Sequence, residues 1–372
     1  MKKLTLQEKQ NSADALLKRI NTLHEPGETI RLMEVCGTHT VSIFREGLRQ
    51  LLPSGIELVS GPGCPVCVTD QTYMDKALAY AECDDVIIAT FGDMLKVPGS
   101  YSSLSEAQTK GAHIHVIYTP LEVIELSKKH PDKKIVFLAI GFETTIAVIC
   151  ATVKAVHAAG LKNVFFLVSH KLVPPALRAL LDRQEGHIDG FILPGHVSVI
   201  IGEEPYRFLP EEYHIPSCIA GFDGVEILSA IANILEQRKT GQIFVGNTYH
   251  SVVMKQGNPV AQAMINEVYD VCDDAWRGIG IIPNSGLALK NEYAVYDAEK
   301  ALPITLEKPS IDPKGCQCGR VLQGLIKPSE CPLFGKSCTA DHPVGACMVS
   351  VEGSCAAWYK YGYSSGGSTW ED

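Results

Sequence analysis

From about residue 28 to residue 240 the chain alternates short β-branched apolar runs with amphipathic stretches. This alternation restricts the fold more than any other feature of the sequence. Candidate strands fall at 30–35, 56–60, 86–90 and 114–118, then at 135–140, 164–169, 190–193 and 217–220. Helical patterns lie between them, at 41–51, 72–81, 121–129, 145–159, 174–181 and 225–238. The strands are apolar on both faces, as expected when helices cover both sides of a parallel sheet. The last four strands repeat the first four at a shift of about 105 residues. Cys36-Gly-Thr-His-Thr40 falls against Gly141-Phe-Glu-Thr-Thr145, each closing a strand and opening a helix. Ser60-Gly-Pro-Gly63 stands close to the place of Ser169-His-Lys-Leu172. The pattern predicts an α/β fold of two similar βα domains, their parallel sheets facing a cleft, with a loop-rich carboxy-terminal domain. The expected boundaries are 1–27 for an amino-terminal helix packed on the first or the carboxy-terminal domain, 28–131, 132–241 and 242–372. Within the last segment, 259–272 reads as one helix. Ligands of such sheets lie outside the carboxyl ends of the strands, and all four of these motifs fall there.

The cysteines decide what kind of chemistry to expect. Six of thirteen, Cys316, Cys318, Cys331, Cys338, Cys347 and Cys355, crowd into the carboxy-terminal stretch, and three more stand in tight motifs near the front. The amino-terminal stretch is polar, without an apolar signal core, and no run is apolar for long enough to cross a bilayer. The expectation is therefore a cytoplasmic protein, in which clustered thiols favour metal or redox chemistry over structural disulfides. A net charge of −9 without a Lys/Arg run argues against nucleic acid or a membrane surface as a partner. No phosphate loop and no dinucleotide-binding glycine fingerprint is present, so nucleotide chemistry is not expected.

In the carboxy-terminal group a Cys-x-Cys pair is followed by four well-spaced cysteines. A structural zinc site closes with two close knuckles, and this group has only one close pair. Thiolates spread over a loop-rich segment suit an iron–sulfur cluster better, and two of six would be left over as a neighbouring dithiol. Spacing alone does not say which four are ligands. Gly61-Pro-Gly-Cys64-Pro-Val-Cys67 places a Cys-x-x-Cys before a helix, with Thr69 or Asp70 as its N-cap. The helix dipole would favour thiolates there, for a reversible disulfide or a metal contact; a turn with two buried thiols is the plain alternative. Cys36 closes a strand and is followed by His39, which makes it a candidate soft ligand for iron with a second ligand or proton carrier beside it. Asp93, Glu143 and Glu352 are acidic candidates for orienting a ligand or moving a proton, and equally for caps or surface charges. Cys83, Cys150, Cys218 and Cys272 read as core residues.

The motifs resemble those of the HypD family of hydrogenase maturation proteins over nearly the whole chain. The resemblance rests on Cys36-Gly-Thr-His-Thr40, Gly61-Pro-Gly-Cys64-Pro-Val-Cys67, Gly141-Phe-Glu-Thr-Thr145, Pro194-Gly-His-Val-Ser-Val-Ile-Ile-Gly202 and Pro343-Val-Gly-Ala-Cys347-Met-Val-Ser-Val-Glu-Gly-Ser-Cys355. It implies an assembly scaffold, rather than a turnover enzyme, for the Fe(CN)2CO group of [NiFe]-hydrogenases. By the resemblance, Cys36 holds Fe(II) that acquires cyanide and CO, shared with a small HypC-like chaperone. His39 would be its neighbour, and Cys64 and Cys67 a redox or additional iron-contacting pair. A HypE-like protein would donate cyanide, supplied in turn by a HypF-like one, and the hydrogenase large subunit would be served indirectly. The resemblance further implies a [4Fe–4S] cluster on Cys316, Cys331, Cys338 and Cys355, with Cys318 and Cys347 as its dithiol. The rival reading is a free-standing iron–sulfur thiol/disulfide oxidoreductase, which leaves Cys36 and His39 without a task. A third is a two-domain ligand-binding protein with a structural zinc module.

Overall fold

The computed structural model describes residues 5–183 and 185–362. The strands are β1 (Ile30–Glu34), β2 (Ile56–Ser60), β3 (Val86–Thr90), β4 (Ile114–Val116), β5 (Lys134–Gly141), β6 (Val164–Lys171), β7 (Gly190–Pro194), β8 (Ser217–Ala220), β9 (Val245–Asn247), β10 (Tyr269–Trp276) and β11 (Gly280–Leu289). One sheet has the order β2-β1-β7-β8-β9 and the other β10-β11-β6-β5-β3-β4. The first is parallel throughout; in the second only the β10–β11 hairpin brings antiparallel pairing. This is the α/β architecture with two mostly parallel sheets that the sequence predicts. All eight expected strands are present.

The strands are not shared out as the repeat implies. Residues 28–131 and 132–241 do not form one sheet each: the first sheet takes β1 and β2 from one half and β7 and β8 from the other. The second takes β3 and β4 from the first half and β5 and β6 from the second. Matched through the repeat, the orders β2-β1-β7-β8 and β6-β5-β3-β4 are equivalent. The duplication therefore holds, with its halves exchanged. A repeat period records spacing along the chain and carries no information about which copies pair.

The alternation of side chains explains the layers. In β1, Met33 enters a core shared by both sheets, while Ile30 and Leu32 face the outer helices. In β5, Val136, Leu138 and Ile140 enter the same shared core, while Ile135, Phe137 and Ala139 meet the helix Glu143–Ala158. The helix Gly224–Thr240, started by a capping box of Asp223 and Glu226, covers the outer face of the first sheet. The amino-terminal helix Leu6–Leu23 packs on that helix, burying Ile20, with Lys9 paired to Asp223 at 2.9 Å. It is a layer of the first sheet, not an attachment to the carboxy-terminal region.

The segment 242–372 is likewise not a separate unit in its entirety. Its first part supplies β9 to one sheet and the β10–β11 hairpin to the other. The helix expected over 259–272 ends at Val268 and runs straight into β10. From residue 297 to residue 362 the chain is loops and short helical turns, among them Cys318–Leu322, Ala346–Val349 and Ser354–Ala357. Among the described residues no helix is long and apolar enough to cross a membrane.

Candidate functional site

β1 and β7 lie side by side at the centre of the first sheet, and their connections leave in opposite directions, to β2 and to β8. Such a switch point opens a crevice at the carboxyl ends. The Cys36 and His196 motifs both stand there. β5 and β3 make the matching point of the second sheet, carrying Glu143 and Asp93.

Cys36 is the N-cap residue of the helix Gly37–Arg45 and is 9% exposed. Its thiol is pushed up to about 12, first by burial and then by the carboxylate of Glu352, against the opposing backbone N–H groups of His39 and Thr38. In the protein alone Cys36 is thus a thiol. A bound cation would invert that balance, since coordination deprotonates a thiol outright. Beneath it Glu34 is fully buried, accepts from Thr40 Oγ1 at 2.6 Å and is held up at about 7 by burial. His39, also fully buried, bonds the Gly221 carbonyl through Nε2 at 2.8 Å, which requires the proton on Nε2. Burial lowers its pKa to about 4, so the ring is neutral, and its Nδ1 lone pair has no partner. The ring stacks on Phe222 at 4.9 Å, and Phe222 stacks in turn on His196 at 3.9 Å.

The Cys-x-x-Cys loop is pressed against this centre. Gly37 N donates to Gly63 O at 3.0 Å and Gly61 N to Glu34 O at 2.7 Å. A Cβ on Gly63 would stand 2.5 Å from Cys36 N, so only glycine permits the approach. Cys64 and Cys67 are bridged as a disulfide with Cα atoms 5.2 Å apart, both buried. Cys64 itself begins the short turn Pro65–Val68, while Asp70 caps the following helix Gln71–Ala81 through Thr72 N at 2.9 Å.

From the other side comes the carboxy-terminal segment. Thr38 Oγ1 donates to Glu352 Oε1 at 3.0 Å, and a Cβ on Gly37 would meet the Glu352 carbonyl oxygen at 2.2 Å. Asp93 accepts from Ser350 Oγ at 2.8 Å, and Ser350 Oγ accepts from Glu352 N at 3.3 Å. Asp93 therefore holds the turn that brings Glu352 to Cys36. The turn Ala346–Val349, with Cys347, packs on the turn Pro65–Val68.

Cys316, Cys318, Cys338 and Cys355 converge behind that turn on Cys347. Cys316 Sγ and Cys318 Sγ are 3.3 Å apart. The neighbouring thiols of Cys318 and Cys355 raise the Cys347 thiol, while Cys318 and Cys347 hold Cys355 below its ordinary value. Cys338 receives Val344 N at 3.3 Å and feels the charges of Cys318 and Cys316. Cys331 opens the same loop, seven positions before Cys338, and is half-buried. Among the described residues no group of three or more His, Cys, Asp or Glu side chains stands ready-made around a metal position. The donor chemistry nonetheless fits an iron–sulfur cluster. The donors are soft thiols, Gly345 leaves room where a Cβ would meet Cys316 Sγ and Cys318 Sγ at 2.5 and 2.6 Å, and a buried Arg277 Nη2 beside them has no acceptor.

Cys36, His39, Cys64, Cys67, Asp93, Glu352 and Cys347 are thus gathered into one region. Glu143 is buried too, bonded to Val173 N at 2.9 Å. Sequence reasoning passed over Glu34, His196, Phe222 and Arg277. A carboxylate inside an apolar run, two places before a motif cysteine, was the available signal for Glu34. Of the four cysteines read as core, Cys150 and Cys218 are buried, whereas Cys83 and Cys272 are half-buried.

The family described as HypD, hydrogenase formation hypA family, matches residues 11–362 of the chain. The chain is 40% identical over 333 residues to the hydrogenase maturation factor HypD of Escherichia coli (strain K12), covering 89% of each. It is 42% identical over 337 residues to the hydrogenase maturation factor HypD of Rhodobacter capsulatus, covering 90% of this chain and 89% of the relative. With the hydrogenase expression/formation protein HupD of Azotobacter chroococcum mcd 1 it shares 40% identity over 358 residues, 94% of each.

Proposed function

The chain belongs to the HypD family, and from that premise we propose that it serves hydrogenase maturation as the scaffold on which Fe(CN)2CO is assembled. One observation supports this reading above others: a single buried cysteine, Cys36, has a neutral histidine one turn along its own helix and is enclosed by a disulfide loop and a carboxylate from two other parts of the chain. The iron ion is the substrate, held as Fe(II) by the Cys36 thiolate and shared with a HypC-like chaperone. A HypE-like protein delivers cyanide, and the hydrogenase large subunit receives the finished group. Each residue has a task in that scheme. His39, one helical turn after Cys36, keeps an unprotonated Nδ1 to accept a hydrogen bond or to bind. Glu352 sets the charge beside the thiolate, and Asp93 fixes Glu352 through Ser350. Cys64 and Cys67 exchange between disulfide and dithiol next to the iron. Cys316, Cys331, Cys338 and Cys355 would hold a [4Fe–4S] cluster, which supplies electrons one at a time, with Cys318 and Cys347 as its dithiol.

The bridged Cys64–Cys67 pair also favours a free-standing thiol/disulfide oxidoreductase. Infrared spectra in the cyanide and carbonyl stretching region separate the two. The protein is purified anaerobically with its small partner from cells with the full maturation machinery. Bands present in the parent and missing in Cys36→Ala are the expected result. A parent protein without such bands would remove the scaffold reading and leave the oxidoreductase.

A further inference from the structure

Arg277 occupies the tip of the β10–β11 hairpin and is only 4% exposed. Its backbone N donates to Val68 O at 2.8 Å, Nε to Thr69 O at 2.8 Å and Nη1 to Gln71 Oε1 at 2.6 Å. These acceptors begin with the residue that follows Cys67. On the other side of the tip, Gly278 takes a left-handed φ of +69° and touches Gly319, the residue after Cys318. A Cβ on Gly278 would lie 2.3 Å from Gly319 Cα, so the two backbones are in contact. The hairpin tip is therefore wedged between the Cys64–Cys67 loop and the Cys316-x-Cys318 pair. A cavity of about 200 Å³ at this point is lined by Arg277, Gly278, Cys316, Cys318 and Arg320, among others.

One group in this wedge is unaccounted for. Arg277 Nη2 is buried without a hydrogen-bond partner, although a buried charged donor is costly to leave unpaired. The guanidinium lines the cavity that Cys316 also lines, and its charge is felt at the Cys316 thiol. An anionic sulfur on that side is the acceptor this geometry lacks. We infer that Arg277 is a positioning residue that joins the two thiol centres, gripping the segment that leaves Cys67 and directing its free N–H group to the Cys316 side of the cluster. The inference rests on the proposed cluster ligands. Hydrogen bonds and net charge at the sulfurs set the potential of such a centre, and a cation there favours the reduced, more negative state.

The test is a dye-mediated redox titration of the full-length protein, with iron and acid-labile sulfide measured alongside. Arg277→Gln is expected to shift the midpoint to more negative potential. Arg277→Lys, which keeps the charge but loses the planar fork, is expected to shift it the same way by less. Arg320→Gln, an exposed cation on the same cavity, serves as the screened control and should leave it in place. Coincident potentials for the parent and whichever Arg277 variant folds would overturn the inference alone. An equal shift from Arg320→Gln would do the same. A parent protein without iron and sulfide would overturn the cluster reading, and the inference with it.

Discussion

At Glu143 one carboxylate oxygen accepts from Val173 N while the other, Oε2, is buried without a partner, and burial raises the group from 4.5 to about 7. The unfolded chain gives up this proton near 4.5, whereas the folded one keeps it until about 7. Between those values the folded state binds more protons, so this group's contribution to stability falls as pH rises. Glu143→Gln is expected to be more stable than the parent at pH 8, by on the order of 3 kcal/mol, with the gain fading towards pH 5. Urea denaturation at both pH values checks it; a gain of equal size at each would mean that the charge is not the cause. His39 has the opposite sign, because its folded pKa of about 4 lies below the ordinary 6.5, and its contribution is lost as pH falls between them. Cys36, His39, Cys64, Cys67 and Glu352 were legible in the sequence because each stands in a dense motif whose chemistry is local. Arg277 was not, since all three of its acceptors become visible only when residues more than two hundred positions apart are brought together.

Among elements, the contact between the 61–64 loop and the start of the helix Gly37–Arg45 matters most to the site. It depends on backbone lying on backbone at Gly63, which a methyl group would separate. Gly63→Ala is expected to cost about 1–3 kcal/mol, as overpacked positions do, and, under the proposed scaffold function, to abolish cyanide and carbonyl bands. Gly92→Ala, where the nearest atom is Val116 Cγ1 at 3.8 Å, should stay within about 0.5 kcal/mol of the parent. Denaturant midpoints at unchanged m-value compare the two, and equal losses would show that the close approach is dispensable. Seven of the eight expected strands were legible because β-branched runs buried on both faces have few other uses; β4, half-exposed at the sheet edge, followed from the alternation around it. The other three were hidden for separate reasons. β9 has only three residues. β10 is an edge strand interrupted by Asp270, Asp273 and Asp274, charges that keep such an edge from pairing with other chains. In β11, Pro283 and Gly286 break the run that would have marked it.

For the whole molecule, the exchange of halves makes the two sheets one folding unit. A fragment of residues 1–131 holds β1 and β2 without β7, and β3 and β4 without β5. It is expected to lack a cooperative unfolding transition, as is the fragment 132–372, while the intact chain unfolds in one step. Circular dichroism through a urea series is sufficient, and a cooperative transition from 1–131 alone would show that the exchanged pairing is not required. The repeat was legible and its partition was not, because every copy presents the same apolar strand faces. The pairing of β1 with β7 also sets a clock during synthesis. About 160 residues must be translated after β1 before its partner emerges, roughly 10–30 s at ~5–20 residues per second. Throughout that interval Cys36 has a ribosome-bound chain around it in place of a pocket. Glu352, which closes over Cys36, is made later still, within the last part of the chain. The enclosure of Cys36 therefore forms only after residues far along the chain, from β7 to Glu352, have been made.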